Sequence, residues 1–217
     1  MLSGILQDRE LLYKFMSRCF LKEVDQEYLD TLKSINYSNF NEANPVDEGF
    51  RLLSKYVANT GDQTLLNLAR DYARTFLGAG LAQNEGAYPY ESVYTSPDHL
   101  LMQNARDEAL KIYYSEELGR SNGFTEPEDH IAFELEFMAH LCDRAAKAVQ
   151  SKDFETLRAN MVKQKAFLEN NLNKWVPGFC DDVIRIARED FYRALAMITK
   201  GFLEEESVVI EYIMKDL

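Results

Sequence analysis

The apolar positions of this chain recur at helical spacing over most of its length and nowhere alternate as a half-buried strand would. The strongest stretch is 125–149. Its apolar residues run Ile131, Leu135, Met138, Leu141 with Cys142, Ala145 and Val149, a wide buried stripe. A helix start is predicted at Thr125, with Thr125 as N-cap, Glu128 closing a capping box and Pro127 in the first turn. Glu126, Glu128 and Asp129 then place negative charge where the helix dipole favours it. Phe133 and Phe137 fall off the stripe, so this helix is expected to touch partners on two sides. It is taken as the central helix of the fold.

The same periodicity predicts helices over 2–21, 26–33, 46–59 and 62–77, the last ending at Gly78. The segment 36–45 is polar and reads as a loop. Residues 78–96 are the least periodic, with three Gly, a Pro and three Tyr, and long loops of this kind often carry function. Ser96-Pro97 is expected to open a helix through Glu117, followed by a Gly-bearing link at 118–125. Further helices are expected over 153–170, 181–200 and 202–215, with a break at Trp175-Val176-Pro177-Gly178-Phe179. The expected fold is all-α, a bundle of about nine to ten helices in one domain spanning 1–217. The link at 118–125 is the place where two lobes would hinge.

Net charge is −12 over 217 residues. That disfavours nucleic acid, which selects basic patches, and permits a basic partner, although solubility alone also explains it. No long uncharged apolar run offers a transmembrane helix, so no stable membrane insertion is expected, and the charged first helix does not read as a signal peptide. Cys19, Cys142 and Cys180 are far apart in apolar settings and read as reduced core residues of a cytosolic protein. There is no phosphate-cradling Gly loop, HExxH, GxSxG or CxxC. His130 and Glu134 lie one helical turn apart, but two ligands do not make a metal site. No catalytic residue, metal or cofactor is assigned. Tyr88, Pro89, Tyr90 and Tyr94 beside Glu85 and Glu91 could anchor an apolar, basic peptide, or could merely pack their loop onto the bundle.

Two motifs are more specific. One is Tyr88-Pro89-Tyr90-Glu91-Ser92-Val93-Tyr94, following the helix end Asp71–Gly78. The other is Glu126-Pro127-Glu128-Asp129-His130, followed by Glu134–Met138. With Arg9–Tyr13, Trp175–Phe179 and Phe191-Tyr192 in support, the chain resembles the TorD/DmsD family of cytoplasmic chaperones for molybdenum-cofactor oxidoreductases. The resemblance implies a TorD-like helical chaperone that binds the twin-arginine leader of a molybdopterin oxidoreductase precursor until the cofactor is in place.

Position by position, the resemblance implies that Asp129 and His130 take part in signal-peptide binding. Pro89 and Tyr90 are implied as the Pro-aromatic loop pair, and Phe76 and Leu77 as lying near an apolar pocket. Glu91, Ser92, Tyr94, Glu126 and Pro127 complete the implied set. Asp129, Glu126 or Glu91 would meet the arginine pair. His130 would be a donor, a pH-sensitive contact or a local cap. Tyr90 and Tyr94 stand where the family often has Trp, which bears on pocket shape and client. A monomer or a lobe-exchanged homodimer is implied. A nitrate-reductase-type assembly factor for a non-exported enzyme is the alternative, with a nucleotide-binding hydrolase as a reading from another class.

Overall fold

In the computed structural model, which describes residues 2–40, 42–82, 85–119 and 125–215, the described residues form ten α-helices and no strand. In chain order these are α1 (Leu2–Leu21), α2 (Gln26–Ser34), α3 (Pro45–Ala58), α4 (Thr64–Leu77) and α5 (Glu91–Thr95). Then come α6 (Asn104–Ser115), α7 (Ile131–Ser151), α8 (Phe154–Phe167), α9 (Asn173–Ile186) and α10 (Asp190–Lys215). A π-helical turn, Leu168–Leu172, joins α8 to α9. The all-α expectation holds, and α1 occupies the span its pattern predicts.

The chain divides into two compact units. The first comprises the residues up to Leu21, Pro89–Val176 and the residues from Glu205 onward. The second comprises Lys22–Tyr88 and Pro177–Glu204. Of the link at 118–125, residues 120–124 lie outside the described residues; its described ends both belong to the first unit.

The first unit is built on α7, which packs against α1 and α8. Leu6, Tyr13, Met16 and Phe20 of α1 are fully buried, as are Leu135, Met138, Leu141 and Cys142 of α7. Each large apolar side chain buried this way contributes about 1.5–3 kcal/mol. All three cysteines are free and buried. The Arg9 guanidinium donates to both carboxylate oxygens of Glu206, at 2.7 and 2.6 Å, and the Tyr13 hydroxyl donates to the same carboxylate at 2.7 Å. These buried bonds tie α1 to the last part of α10.

The second unit packs aromatic rings around Phe76, which meets Tyr72, Phe179 and Tyr192 at centroid distances of 5.0, 6.1 and 5.4 Å. The buried Asp71 carboxylate accepts the backbone N–H groups of Arg188 and Glu189, capping the turn between α9 and α10. Gly78 ends α4 in the left-handed region at φ +70°.

Four local expectations fail. The central helix begins at Ile131, not Thr125, and its N-cap is His130, so the Thr125/Glu128 capping box does not form. The helix expected from Ser96-Pro97 begins only at Asn104, because His99 and Met102 adopt positive φ of 53° and 60°. The expected break around Pro177 is absent. Pro177 lies inside α9, and the partner of its missing N–H would have been the carbonyl of Asn173, the first residue after the π turn. Finally, α10 runs unbroken through Gly201. A Cβ there would stand 2.9 Å from Pro45 Cβ, so glycine permits a close crossing with α3 and does not end the helix.

Candidate functional site

The two sequence motifs meet in the first unit. Tyr90 and His130 form an isolated antiparallel bridge. The Ile131 N–H donates to the Pro89 carbonyl at 2.9 Å, and the Glu91 N–H donates to the Asp129 carbonyl at 3.0 Å. Each segment therefore caps the other's helix. The Asp129 carboxylate completes the exchange by accepting the Ser92 N–H at 2.9 Å, at the first turn of α5. On the α7 side, His130 Nδ1 accepts the Ala132 N–H at 3.1 Å. The orphan donors of both helices are satisfied by this clasp, which is why the N-cap of α7 lies five residues later than its local pattern suggests.

The clasp is sealed. Asp129 and Ser92 have no exposed surface, and Glu91 and His130 are buried. The Ser92 hydroxyl accepts the Gln103 N–H at 3.2 Å, fixing the entry to α6. The Tyr90 ring stands edge-on to His130 with centroids 5.1 Å apart, and its hydroxyl donates to Glu126 at 2.5 Å. Pro127 lends its carbonyl to the His130 N–H. Tyr94 lies against Trp175 at 5.6 Å. Burial pulls the His130 imidazole down to about 3, so the ring stays neutral and serves as a cap.

Behind the clasp lies a buried acidic cluster. The Trp175 indole donates to Glu134 Oε2 at 3.0 Å, and Asn171 donates to Glu91 at 3.5 Å. Burial, followed by the nearby Glu91 carboxyl, raises the Glu134 pKa well above the usual carboxylate range. Burial likewise raises Glu91, with Asp129 adding to it. Among the described residues, no group of three or more His, Cys, Asp or Glu side chains could hold a metal ion.

The open feature of this unit is different. A cavity of about 490 Å³ is bounded by α1, α6, α7 and the start of the 118–125 link. Phe133, Glu136, Phe137 and His140 give it one face of α7; Leu110, Tyr113 and Tyr114 give it a wall from α6; Ser17 and Leu21 close it from α1. The walls are tied together. The Tyr113 hydroxyl donates to the Glu128 carbonyl at 3.2 Å, and the Ser17 hydroxyl donates to the Ala132 carbonyl at 2.8 Å. The Tyr113 and Phe137 rings lie 5.2 Å apart, and Phe137 rests on Phe167 at 4.8 Å. The Glu128 carboxylate accepts the Arg106 guanidinium at 2.6 Å.

Nine of the eleven residues expected in a peptide site thus lie in the first unit: Pro89, Tyr90, Glu91, Ser92, Tyr94, Glu126, Pro127, Asp129 and His130. Most of them build the clasp. Phe76 and Leu77 belong to the second unit, Phe76 in its aromatic core and Leu77 at the surface. Of the cavity residues, Glu128, Glu136 and Phe137 fall within the second motif and its following string, while the rest belong to no motif. The other sequence signal is the off-stripe placement of Phe133 and Phe137, which marks a second face of α7.

Residues 41–181 match the family described as nitrate reductase delta subunit. The chain is 27% identical to the chaperone protein TorD of Shewanella pealeana, covering 94% of this chain and 90% of that protein. It is 27% identical to the chaperone protein TorD of Vibrio parahaemolyticus, covering 94% of this chain and 95% of that protein. A crystal structure of a candidate redox enzyme maturation protein from Archaeoglobus fulgidus shares the fold. Its TM-score is 0.51 at 19% identity, with 90% of this chain and 93% of that chain covered.

Proposed function

Because the chain belongs to the nitrate reductase delta subunit family, we propose that it is a maturation chaperone. It binds the twin-arginine leader of a molybdopterin oxidoreductase precursor in the cytoplasm and holds that precursor until its cofactor is inserted. It works by binding and not by turnover. The observation that carries the reading is the cavity of about 490 Å³ in the first unit, walled by aromatic and aliphatic side chains and bordered by Glu128 and Glu136. An apolar segment with flanking cations suits such a site in both shape and charge. The clasp supports it from behind by fixing where α7 begins, and so the angle at which Phe133 and Phe137 present their rings. Relatives named as TorD chaperones agree with a binding role.

Isothermal titration of the purified protein with synthetic leader peptides tests the proposal. Binding in the micromolar range by at least one molybdoenzyme leader is expected, lost when the peptide's apolar stretch is replaced by serines. No binding by any of several such leaders would overturn it. The family's description favours a second reading, an assembly factor for a nitrate reductase that is not exported. That version predicts binding to the client's N-terminus that is indifferent to replacement of an arginine pair.

A further inference from the structure

We infer that residues 97–103 form a winding segment: α6 has a second, longer state in which they are helical, and filling the cavity favours that state. The part played by the cavity rests on the leader-binding reading above; the winding itself does not.

The segment is helical by its local signs. Ser96 is a good N-cap, Pro97 suits the first helical position and Asp98 suits the dipole. Leu100, Leu101, Met102 and Gln103 follow, all with high helix propensity. Leu101 stands one turn ahead of Ala105 and Ala109, the two buried residues of α6, on the same helical face. A first turn has already begun. The Ser96 carbonyl accepts the His99 N–H at 3.2 Å, and the Ser96 hydroxyl accepts the Leu100 N–H at 3.2 Å.

The turn goes no further. His99 and Met102 sit at φ of 53° and 60°, a region that residues bearing a Cβ disfavour. Leu100, Leu101 and Met102 are 55, 44 and 61% exposed, so burial does not offset that strain. Such a conformation persists only where its surroundings hold it. Three hydrogen bonds do so. His99 Nδ1 donates to the Val93 carbonyl at 2.8 Å, the Gln103 N–H donates to the Ser92 hydroxyl at 3.2 Å, and the Gln103 side-chain amide donates to the Leu101 carbonyl at 2.9 Å. In a helix the Gln103 N–H would turn to the His99 carbonyl instead.

The segment runs directly into the cavity wall, which α6 supplies through Leu110, Tyr113 and Tyr114. A helical residue advances about 1.5 Å, against about 3.3 Å when extended, so winding draws this wall toward Ser96. The wall is lightly held. Its buried residues are two alanines, and its ties to the head of α7 are polar: Arg106 to the Glu128 carboxylate at 2.6 Å and the Tyr113 hydroxyl to the Glu128 carbonyl at 3.2 Å. An occupant that displaces Tyr113 loosens these ties, and winding then turns Leu101 onto the buried face. The occupant favours the wound state by as much as it fits the cavity of that state better.

Backbone Cα chemical shifts of residues 97–103 test this in the whole chain, free and with a synthetic molybdoenzyme leader peptide. The free wild type should show the unwound segment. Ser92→Ala and His99→Ala each remove one holding bond and should move the shifts of residues 99–102 toward helical values; His99 is exposed, so its variant leaves the clasp untouched. Saturating leader should move the wild type in the same direction. Met102→Gly relieves the positive φ and disfavours the helix, and should weaken leader binding by about fivefold. Winding is overturned if neither holding-bond variant moves the shifts. Its link to the cavity is overturned if bound leader leaves them unchanged. Failure of the leader to bind removes the leader-binding reading and the trigger with it, while the two variants still decide whether the segment winds.

Discussion

Two regions flanking the start of α7 divide the work of the first unit in opposite ways. The clasp, made by Pro89–Ser92 and Glu128–His130, holds the residues that look most chemical in the sequence, and it is sealed. The cavity face, made by Phe133, Glu136, Phe137 and His140, holds residues that look ordinary on a helix, and it is open. In this chain the distinctive motif builds a frame, and the plain helix face lines the cavity. An Asp and a His at the head of a helix invite a functional assignment, and here Asp129 Oδ2 and His130 Nδ1 each accept a backbone N–H, while Asp129 Oδ1 is buried with no hydrogen-bond partner. On the cavity reading proposed above, a substitution at either is expected to act on binding through the frame of α7.

The sharpest way to break that contrast is Asp129→Ala. It strands the buried Ser92 N–H and removes the cap of α5, a loss of about 3 kcal/mol in stability. A urea titration should show a lower midpoint with an unchanged slope. A variant of unchanged stability that fails to bind leader would instead place Asp129 in contact with the ligand.

Next comes Glu134. Its pKa is higher in the folded chain than the ordinary value of 4.5. The folded state thus holds the proton more tightly, so this stabilisation is present at low pH and is lost as pH rises above 4.5 toward the raised folded value. Glu134→Gln should flatten that fall, since the amide still accepts from Trp175. Glu134→Ala should cost about 1–3 kcal/mol by leaving the indole N–H unpaired. Thermal midpoints across a pH series distinguish the two.

On the open side, Phe133→Ser should weaken leader binding by about 1–2 kcal/mol, read by calorimetry, with a smaller change in thermal midpoint. The smallest effect is expected at Leu77, which is exposed in the second unit. Leu77→Ser should shift stability by no more than about 0.5 kcal/mol and change leader affinity less than Phe133→Ser. A larger loss of affinity there would extend the site beyond the cavity.

The helices were legible where amphipathic periodicity and local caps agree, as in α1 and at the Gly78 end of α4. They were misread where a distant partner decides. Thr125, Pro127 and Glu128 obey every local rule for a helix start, but the Pro89–Glu91 backbone takes the hydrogen bonds that would have begun the helix there. Nothing near Gly201 announces the α3 backbone lying against it, and nothing near Pro177 announces the π turn upstream. A similar division separates the clasp from the cavity. Resemblance pointed to the clasp, because its residues form recognisable strings. Tyr113 and His140 sit on different helices and belong to no motif. The off-stripe phenylalanines and the motif residues Glu128 and Glu136 hinted at the face they share.

The buried ion pair between Arg9 and Glu206 has a consequence for biosynthesis. The carboxylate that neutralises the guanidinium emerges from the ribosome 197 residues after it. Throughout that interval α1 cannot take its final place on α7 without leaving an arginine desolvated and unpaired, which costs several kcal/mol. Closure of the first unit therefore waits for the last part of α10. A nascent or truncated chain that lacks the last part of α10 is expected to keep α1 undocked, with its apolar face available to quality-control factors.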